Sequence, residues 1–238
     1  MKNERFWKKI STAIIIAGLC LSCESPTLRK TEQVKATENQ NTEPNVDYGE
    51  LIIKEKSDYL MIPVYVTDHN QNQEDKLNFS RSYEKANKPL YNIIFYHKQD
   101  GISHLLLNKK AIINSFDLLE TKTSNKPPTR FWLYKIIDQD TNQDKKLNSE
   151  DAVIGYLSDL SGKNLQQITP NNSQIINWVV VASQNAIFIK IIKDSNNDQK
   201  FTEKDKTNFI RVNLDQPGMG TEIISDQIEQ QIKSYHAR

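Results

Sequence analysis

The sequence predicts a mainly β fold: an antiparallel repeat array of strands, or a β-sandwich, with one short helix at the C-terminal end. From residue 48 onward, short runs rich in Ile, Val, Tyr, Phe and Trp alternate with polar clusters at the spacing of strands. Only residues 224–235 show helical spacing. Four apolar residues share one face of that stretch: Ile224, Ile228, Ile232 and Tyr235. We expect this face to cover the edge or the core of the sheet.

The N-terminal end, residues 1–22, has the layout of a cleaved signal peptide. Four basic residues precede an apolar run at residues 10–21. The run is shorter than the roughly 20 residues that a membrane-spanning helix needs. We therefore expect an attachment to the membrane other than a permanent helix.

Cys23 is the candidate for that attachment. The four residues before it are Leu19, Cys20, Leu21 and Ser22. This stretch resembles the lipobox of bacterial lipoproteins, although Cys20 stands where that family usually has an aliphatic residue. The resemblance implies cleavage before Cys23 and lipidation of its sulfur, which would anchor the protein to a membrane of the cell envelope, facing the periplasm or the outside. An ordinary secretory signal is the alternative.

Cleavage at this site would leave 27 basic and 29 acidic residues, with Cys23 as the one cysteine. We expect neither a disulfide framework nor the basic patch that nucleic acid requires. Residues 23–47 contain no aromatic residue and few aliphatic ones, too little apolar surface to offset the entropy of ordering. We interpret them as a lipidated cysteine and a disordered tether of about 25–30 Å. The tether would carry a β-rich domain at residues 48–238.

Three parts of the β-rich domain look alike. In each, a strand leads into a loop rich in Asp and Asn, a second strand follows, and a tight turn returns a third strand. The units begin with VYVTDHNQNQEDKLN, YKIIDQDTNQDKKLN and IKIIKDSNNDQKFT. Residues 156–170 of the second unit, YLSDLSGKNLQQITP, resemble the strand–turn–strand signature of TolB-type β-propeller repeats. The resemblance implies a propeller-like array of about three blade-like units that binds a protein or a ligand, although ordinary propellers have about four or more blades.

The loop of the second unit, residues 140–151 and named loop A here, reads DTNQDKKLNSED. It resembles the twelve-residue calcium loop of EF-hand and dockerin proteins, in which positions 1, 3, 5, 7, 9 and 12 supply oxygens. Those positions hold Asp140, Asn142, Asp144, the carbonyl of Lys146, Asn148 and Asp151. Because Ca²⁺ prefers about six to eight oxygen ligands, the spacing predicts a calcium site.

The third unit repeats the pattern in loop B, residues 194–205, which reads DSNNDQKFTEKD. Its ligand positions hold Asp194, Asn196, Asp198, the carbonyl of Lys200, Thr202 and Asp205. Both loops lack the family's glycine at position 6, where Lys145 and Gln199 stand, and both end in Asp rather than Glu. These departures predict weak affinity. Because strands precede the loops, we expect structural calcium and no conformational switch; the alternative is a pair of polar turns without metal.

The first unit has a degenerate version of the same loop. Its oxygen-bearing residues are Asp68, Asn70, Asn72 and Glu74. With Leu77 at position 8, Arg81 falls at position 12, where its charge would repel a cation. We expect no calcium there.

His97 and His104 form a further candidate site. A two-residue turn at Asp100 and Gly101 would place the two rings directly opposite each other on a hairpin, close enough to share a transition metal. The alternative is a pair of exposed imidazoles on a polar face.

The sequence contains no H-E-x-x-H, no G-x-S-x-G and no Gly-rich phosphate loop. We therefore expect a non-enzymatic, calcium-binding β module of the cell envelope that binds a protein or a glycan. The alternative is an accessory hydrolase for carbohydrate or peptide, with a site that forms only in three dimensions.

Overall fold

Antiparallel strands are the main secondary structure of the computed structural model, which describes residues 44–67, 88–122 and 127–237. Its strands are β1 (Asn45–Tyr48), β2 (Ile52–Ile53), β3 (Tyr59–Thr67), β4 (Leu90–His97), β5 (Ser103–Leu105), β6 (Ile112–Thr121), β7 (Thr129–Ile137), β8 (Ile154–Ser158), β9 (Gln166–Gln167), β10 (Ser173–Val181), β11 (Ala186–Lys193), β12 (Lys206–Asn213) and β13 (Thr221–Glu222). A 3-10 turn at Ala182–Gln184 joins β10 to β11, and helix α1 is Asp226–His236.

These strands form two sheets. Sheet 1 has the order β1-β3-β4-β6-β7-β8-β9, with β2 also paired to β3 and β5 also paired to β4. Sheet 2 has the order β10-β11-β12-β13. Every ladder between described strands is antiparallel. The predicted mainly β class, with a short helix at the C-terminal end, is confirmed.

Each of the three similar units consists of three successive antiparallel strands. The units are β3-β4-β5, β7-β8-β9 and β11-β12-β13. Loop A joins β7 to β8, and loop B joins β11 to β12. The first two units share sheet 1, in which β4 and β6 are linked through the pair Leu90 and Ile113.

The core lies on both faces of β7. Leu133 belongs to a buried cluster that includes Ile189 of sheet 2, so the two sheets pack against each other on that face. Its neighbours Trp132 and Tyr134 point the opposite way, into a second cluster with Phe95. Alternate side chains of a strand point to opposite faces, and here both faces are apolar.

The turn between β8 and β9 packs against β4. Asp159 Oδ1 accepts the backbone N–H of Ser161 at 2.9 Å and that of Lys163 at 3.1 Å. Gly162 has a φ of +78°, and a Cβ there would lie 2.4 Å from the Phe95 ring. The Asp and Gly of the TolB-like signature therefore have a physical role, because one organises the turn and the other lets it approach the core.

Helix α1 differs from the prediction. It contains no buried residue, and its apolar side chains Ile228, Ile232 and Tyr235 are 45%, 52% and 76% exposed. Polar contacts hold it instead, among them an ion pair of 3.0 Å between Lys206 and Glu229. The prediction that its apolar face covers the sheet or the core is wrong. Among the described residues, no helix is long and apolar enough to cross a membrane.

The boundary of the predicted tether also differs. Residues 45–47, which the sequence analysis placed in the tether, begin β1 and pair with β3. The polar side chains of Asn45 and Asp47 do not prevent this, because ladder bonds use only the backbone. The described residues all belong to one compact unit, Thr42–Arg238.

Candidate metal centre

The first half of loop A bends around its own side chains. Asp140 Oδ1 and Asn142 Oδ1 both accept the backbone N–H of Asp144, at 3.1 and 3.0 Å. Asp140 Oδ2 accepts the N–H of Lys145 at 2.8 Å, and Asp144 Oδ1 accepts that of Lys146 at 2.8 Å. The oxygens at positions 1 and 3 therefore meet at a single N–H group.

Loop B makes the same hydrogen bonds at the same positions. Asp194 Oδ1 and Asn196 Oδ1 both accept the N–H of Asp198, at 3.2 and 2.9 Å. Asp194 Oδ2 accepts the N–H of Gln199 at 3.0 Å, and Asp198 Oδ1 accepts that of Lys200 at 3.0 Å. In both loops, the oxygens of positions 1 and 3 meet at the N–H of position 5, and the position-5 carboxylate accepts the N–H of position 7.

Both loops also use left-handed backbone at positions 4 and 6. Gln143 and Lys145 have φ values of 61° and 66° in loop A, and Asn197 and Gln199 have values of 58° and 63° in loop B. Position 6 is where the calcium-loop family has glycine. The backbone adopts the glycine-like conformation here despite a long side chain, at a cost of about 1–2 kcal/mol per residue.

Position 12 of loop A closes the loop. Asp151 is fully buried, and its Oδ1 accepts the N–H of Thr141 at 2.7 Å while its Oδ2 accepts that of Asn148 at 3.0 Å. The Thr141 hydroxyl then accepts the N–H of Ala152 at 2.9 Å. Asp151 Oδ1 also accepts the N–H of Asn142 at 3.3 Å, so Asp151 links positions 2 and 3 to position 9 through their backbone N–H groups.

Loop B closes in the same way. Asp205 Oδ1 accepts the N–H of Ser195 at 3.1 Å, and Oδ2 accepts that of Thr202 at 2.9 Å. These two N–H groups, Thr202 first and Ser195 second, hold the pKa of the Asp205 carboxyl below its usual range. The Ser195 hydroxyl accepts the N–H of Lys206 at 3.2 Å. This position-2 hydroxyl lies outside the predicted ligand set, although Thr141 and Ser195 occupy the same position of the two loops and share this role.

Position 9 is arranged differently in the two loops. In loop A, Asn148 Nδ2 donates to Asp144 Oδ2 at 3.4 Å, which brings positions 5 and 9 together. In loop B, the Thr202 hydroxyl donates to Asp205 Oδ2 at 3.2 Å and so faces position 12. The loops therefore share backbone hydrogen bonds to the oxygens of positions 1, 3, 5 and 12. They differ at position 9 and in the amide nitrogen of position 3, which donates to Glu150 in loop A and to Asp198 in loop B.

The donor chemistry of both loops suits a hard cation. Each loop contains four acidic and two basic residues. The oxygens that meet at positions 1 and 3 combine a carboxylate with an amide, a combination that favours Ca²⁺ over softer metals. In the part of the chain that the structure describes, no three His, Cys, Asp or Glu side chains are grouped so that they could hold a metal ion. A cation in either loop would therefore depend on amide and carbonyl oxygens as well as on carboxylates.

The corresponding positions of the first unit lie outside the described residues. They are Asp68, Asn70, Asn72, Glu74, Leu77 and Arg81. The expectation that no calcium binds there remains a prediction.

The two histidines do not face each other directly. In the ladder between β4 and β5, His104 pairs with Phe95, so His97 and His104 are diagonal neighbours. The turn is longer than expected because the N–H of His97 already bonds to the carbonyl of Ile102, which shifts the register by two residues. The predicted geometry is wrong.

Each of these rings has its own polar partner. His97 Nδ1 lies 2.7 Å from Asp100 Oδ1, and His104 Nε2 lies 2.8 Å from the carbonyl oxygen of Ser161. Both rings pack against Tyr59, with centroid distances of 4.8 and 5.8 Å. The pair is a packing feature that joins β4 and β5 to the turn between β8 and β9.

A buried polar cluster lies at the end of β7, two residues before loop A. The Asp138 side chain is 1% exposed, and its Oδ2 accepts from Lys109 Nζ at 2.5 Å and from the Tyr156 hydroxyl at 2.6 Å. Its Oδ1 has no hydrogen-bond partner among the described residues. Burial raises the pKa of Tyr156, and the hydrogen bond to Asp138 raises it further. The cluster ties β7 to β8 next to the loop, and no sequence motif connects its three members.

A surface cavity of about 500 Å³ borders loop B and helix α1. Its carboxylates include Glu222 and Glu229, which are paired with Lys193 at 2.6 Å and with Lys206 at 3.0 Å. A smaller cavity of about 310 Å³ lies near Ser57 and Arg130. Arg130 is itself paired with Glu120 at 2.9 Å.

A comparison of the chain with protein-family models, with curated proteins and with solved structures finds no match in any of the three.

Proposed function

We propose that this chain is a lipid-anchored protein of the cell envelope whose β domain binds one Ca²⁺ ion in loop A and one in loop B. The domain would serve as a non-enzymatic module that binds an envelope or extracellular protein or glycan. The observation that carries the calcium proposal is the equivalence of the two loops. They lie in different sheets, yet they share the hydrogen bonds of positions 1, 3, 5 and 12 and the left-handed positions 4 and 6. This shared geometry supports a common role for the two loops, and their resemblance to calcium loops supports calcium as the shared ligand.

The proposed ligands follow the positions of the resemblance. In loop A they are Asp140, Asn142, Asp144, the carbonyl of Lys146, Asn148 and Asp151. In loop B they are Asp194, Asn196, Asp198, the carbonyl of Lys200, Thr202 and Asp205. An ion that bound only the folded loop would stabilise the domain by mass action, and it would rigidify the connection between two strands.

A calorimetric calcium titration of residues 24–238 tests this proposal. The parent protein should release or absorb heat and should melt at a higher temperature with calcium than with chelator. The double variant Asp140→Ala, Asp194→Ala should lose both responses. The matched control Glu150→Ala, Glu203→Ala removes the same charge from the same two loops at positions that supply no ligand. This variant should keep both the heat signal and the rise in melting temperature. Identical melting curves of the parent with calcium and with chelator would refute calcium binding.

The lipid anchor is tested by a pair of cysteine variants of the full chain. Cys23→Ala should prevent incorporation of a labelled fatty acid and should move the protein from the membrane fraction to the soluble fraction. Cys20→Ala should leave both unchanged, because the proposed cleavage removes that residue. Equal labelling of the parent and of Cys23→Ala would contradict the anchor.

We also propose that the three units are copies of one repeat in a propeller-like array, as the TolB-like signature implies. The shared order of strand, loop, strand, turn and strand supports this proposal. A loop exchange tests it: the sequence of loop B is placed at residues 140–151. The exchanged protein should fold and should keep its calcium stoichiometry, whereas a failure to fold would argue against equivalent repeats.

The accessory hydrolase is not proposed. The larger cavity is lined by four carboxylates. Those of Glu222 and Glu229 are engaged by lysines and that of Asp194 by backbone N–H groups of loop B, which leaves Asp226 alone rather than a pair. An acid and base pair for hydrolysis needs carboxylates that are available to a substrate.

A further inference from the structure

The face of sheet 2 that points away from the core is an exposed surface of mixed character. The register of the ladders places Val179 beside Phe188, Phe188 beside Arg211, and Lys190 beside Phe209. The inward face of the same strands carries the buried isoleucines of the core. We name the opposite surface the outer face of sheet 2. It includes Val179, Phe188, Lys190, Phe209, Arg211 and Ile223, with uncharged polar residues such as Thr207 and Thr221 on the same side.

The apolar members of the outer face are open to solvent. Val179 is 58% exposed, Phe209 is 40% exposed and Ile223 is 42% exposed. The N–H of Ile223 bonds to the carbonyl of Phe209, so these two side chains belong to adjacent strands of one patch. Contiguous exposed apolar groups on a protein surface mark an interaction site more often than isolated ones do.

The charges on this face have a single sign. Lys190 and Arg211 lie among the apolar residues, and the outward positions of the four strands of sheet 2 carry no Asp or Glu. Neither cation forms an ion pair within the described ranges. The face therefore combines an apolar surface with a local excess of positive charge, although the chain as a whole is nearly neutral.

We propose that the outer face of sheet 2 lies against an anionic lipid surface. The boundary between headgroups and acyl chains is the environment that takes apolar side chains and cations together. A nucleic acid would neutralise the two cations but would offer no apolar phase to Val179 and Ile223. This inference rests on the proposed lipid anchor for its setting, because a tether of about 25–30 Å keeps the domain close to the bilayer and raises the effective concentration of a weakly binding face.

Vesicle flotation of residues 24–238 in excess chelator tests whether the outer face of sheet 2 binds a lipid surface. Neither the covalent lipid anchor nor calcium can contribute in this experiment. Among the described residues, the buried apolar side chains lie between Met61 and Leu214, so residues 24–238 contain all of them. The parent should float with vesicles of phosphatidylglycerol and phosphatidylcholine in equal parts, and it should stay in solution with pure phosphatidylcholine. Since each interfacial cation contributes about fivefold in affinity, Lys190→Glu, Arg211→Glu should weaken binding by at least about 25-fold.

Two further variants distinguish a loss of binding caused by the outer face from a loss caused by net charge or by misfolding. Lys110→Glu, Lys163→Glu makes the same change of charge at exposed residues outside sheet 2, and it should lose much less binding. Phe209→Ser should weaken binding while the melting temperature changes little, because this side chain points outward. The proposal is overturned if the parent does not float with anionic vesicles, or if the control double variant loses as much binding as the variant of the face. Calorimetry and fatty-acid labelling, which test calcium and the anchor, do not depend on this result.

Discussion

Residues with long side chains adopt the left-handed backbone conformation in both loops, which lowers the stability of the folded loops. Lys145 and Gln199 occupy position 6 with φ values of 66° and 63°. A left-handed conformation brings the Cβ atom close to the following carbonyl oxygen, which costs about 1–2 kcal/mol for a residue other than glycine. Glycine removes this contact and so stabilises the folded loop. It also adds flexibility to the unfolded chain, which offsets part of that stabilisation.

Lys145→Gly and Gln199→Gly should therefore each raise the free energy of unfolding by about 1 kcal/mol in calcium-free buffer. Urea denaturation of residues 24–238 measures the change. If calcium binds as proposed, the same variants should also bind it more tightly, because less strain remains to be overcome. Lys146→Gly is the control, since Lys146 is exposed and is not left-handed, and it should give no stabilisation. A destabilised Lys145→Gly protein would show that its backbone conformation is not the source of strain.

Gly162 has the opposite role, because its lack of a side chain is required. It combines a φ of +78° with a backbone that would place a Cβ 2.4 Å from Phe95. Gly162→Ala should lower the free energy of unfolding by at least about 2 kcal/mol, through left-handed strain and displacement of a buried ring. Gly218 is the matched control, because a Cβ there meets no atom within 4 Å. Gly218→Ala should leave the urea midpoint nearly unchanged, and equal effects of the two substitutions would contradict this account.

At the scale of elements, the sequence predicted the strands that alternate regularly and missed a long one that does not. Strand β6 was not recognised, although its 10 residues pair along the whole of β7. Its register shifts between Ile113 and Ser115, so Ile113 and Phe116 reach the same core cluster three residues apart. A β-bulge breaks the two-residue period that a pattern of alternation depends on. Only the pairing with β7 reveals the strand.

The candidate site was predictable to the extent that its contacts are local. The oxygens of positions 1 and 3 meet at one N–H because a twelve-residue spacing is enough to specify that bend. The role of position 12 was not predictable in the same way. Asp151 and Asp205 bond to positions 2 and 9, and that choice depends on how β7 and β8, or β11 and β12, hold the ends of the loop.

Helix α1 is attached through charge, which makes its position sensitive to pH. The hydrogen bonds from Lys233 and then from Lys206 lower the pKa of Glu229 below its usual range. A carboxyl with a lowered pKa in the folded state stabilises that state above its unfolded pKa, and this contribution is lost as the pH falls through the folded value. Helix α1 should therefore loosen from β12 in acid while the sheets remain folded.

The ¹³Cα chemical shifts of residues 226–236 measure this effect. They should move toward random-coil values as the pH drops below the ordinary range of a glutamate, and the shifts of β11 should stay constant. Glu229→Gln should show weaker helical shifts at neutral pH and little further change in acid. A parent helix that kept its shifts at low pH would mean that contacts other than Glu229 hold it.

At the scale of the whole molecule, the two sheets depend on one another. Leu133 and Leu157 of sheet 1 share a buried cluster with Ile187 and Ile189 of sheet 2. Lys135 of sheet 1 also lies over the ring of Trp178, with its Nζ atom 4.8 Å from the ring centre. Neither sheet can bury its side chains of this cluster without the other sheet. Separation would expose a large apolar area, at a free-energy cost of about 25 cal/mol per Å². Although the chain forms two sheets, we expect a single cooperative folding unit.

The tryptophans allow this expectation to be tested, because residues 24–238 hold one in each sheet, Trp132 and Trp178. Trp178→Phe leaves a reporter in sheet 1, and Trp132→Phe leaves one in sheet 2. In each variant, the urea midpoint from fluorescence should equal the midpoint from circular dichroism, since both sheets lose the shared cluster at once. Leu133→Ala should lower the stability reported by both tryptophans by the same amount, about 2–5 kcal/mol, because its side chain lies between the sheets. If the Trp178 signal changed at lower urea than the circular dichroism of the same variant, sheet 2 would unfold by itself and the shared core would not couple the two sheets.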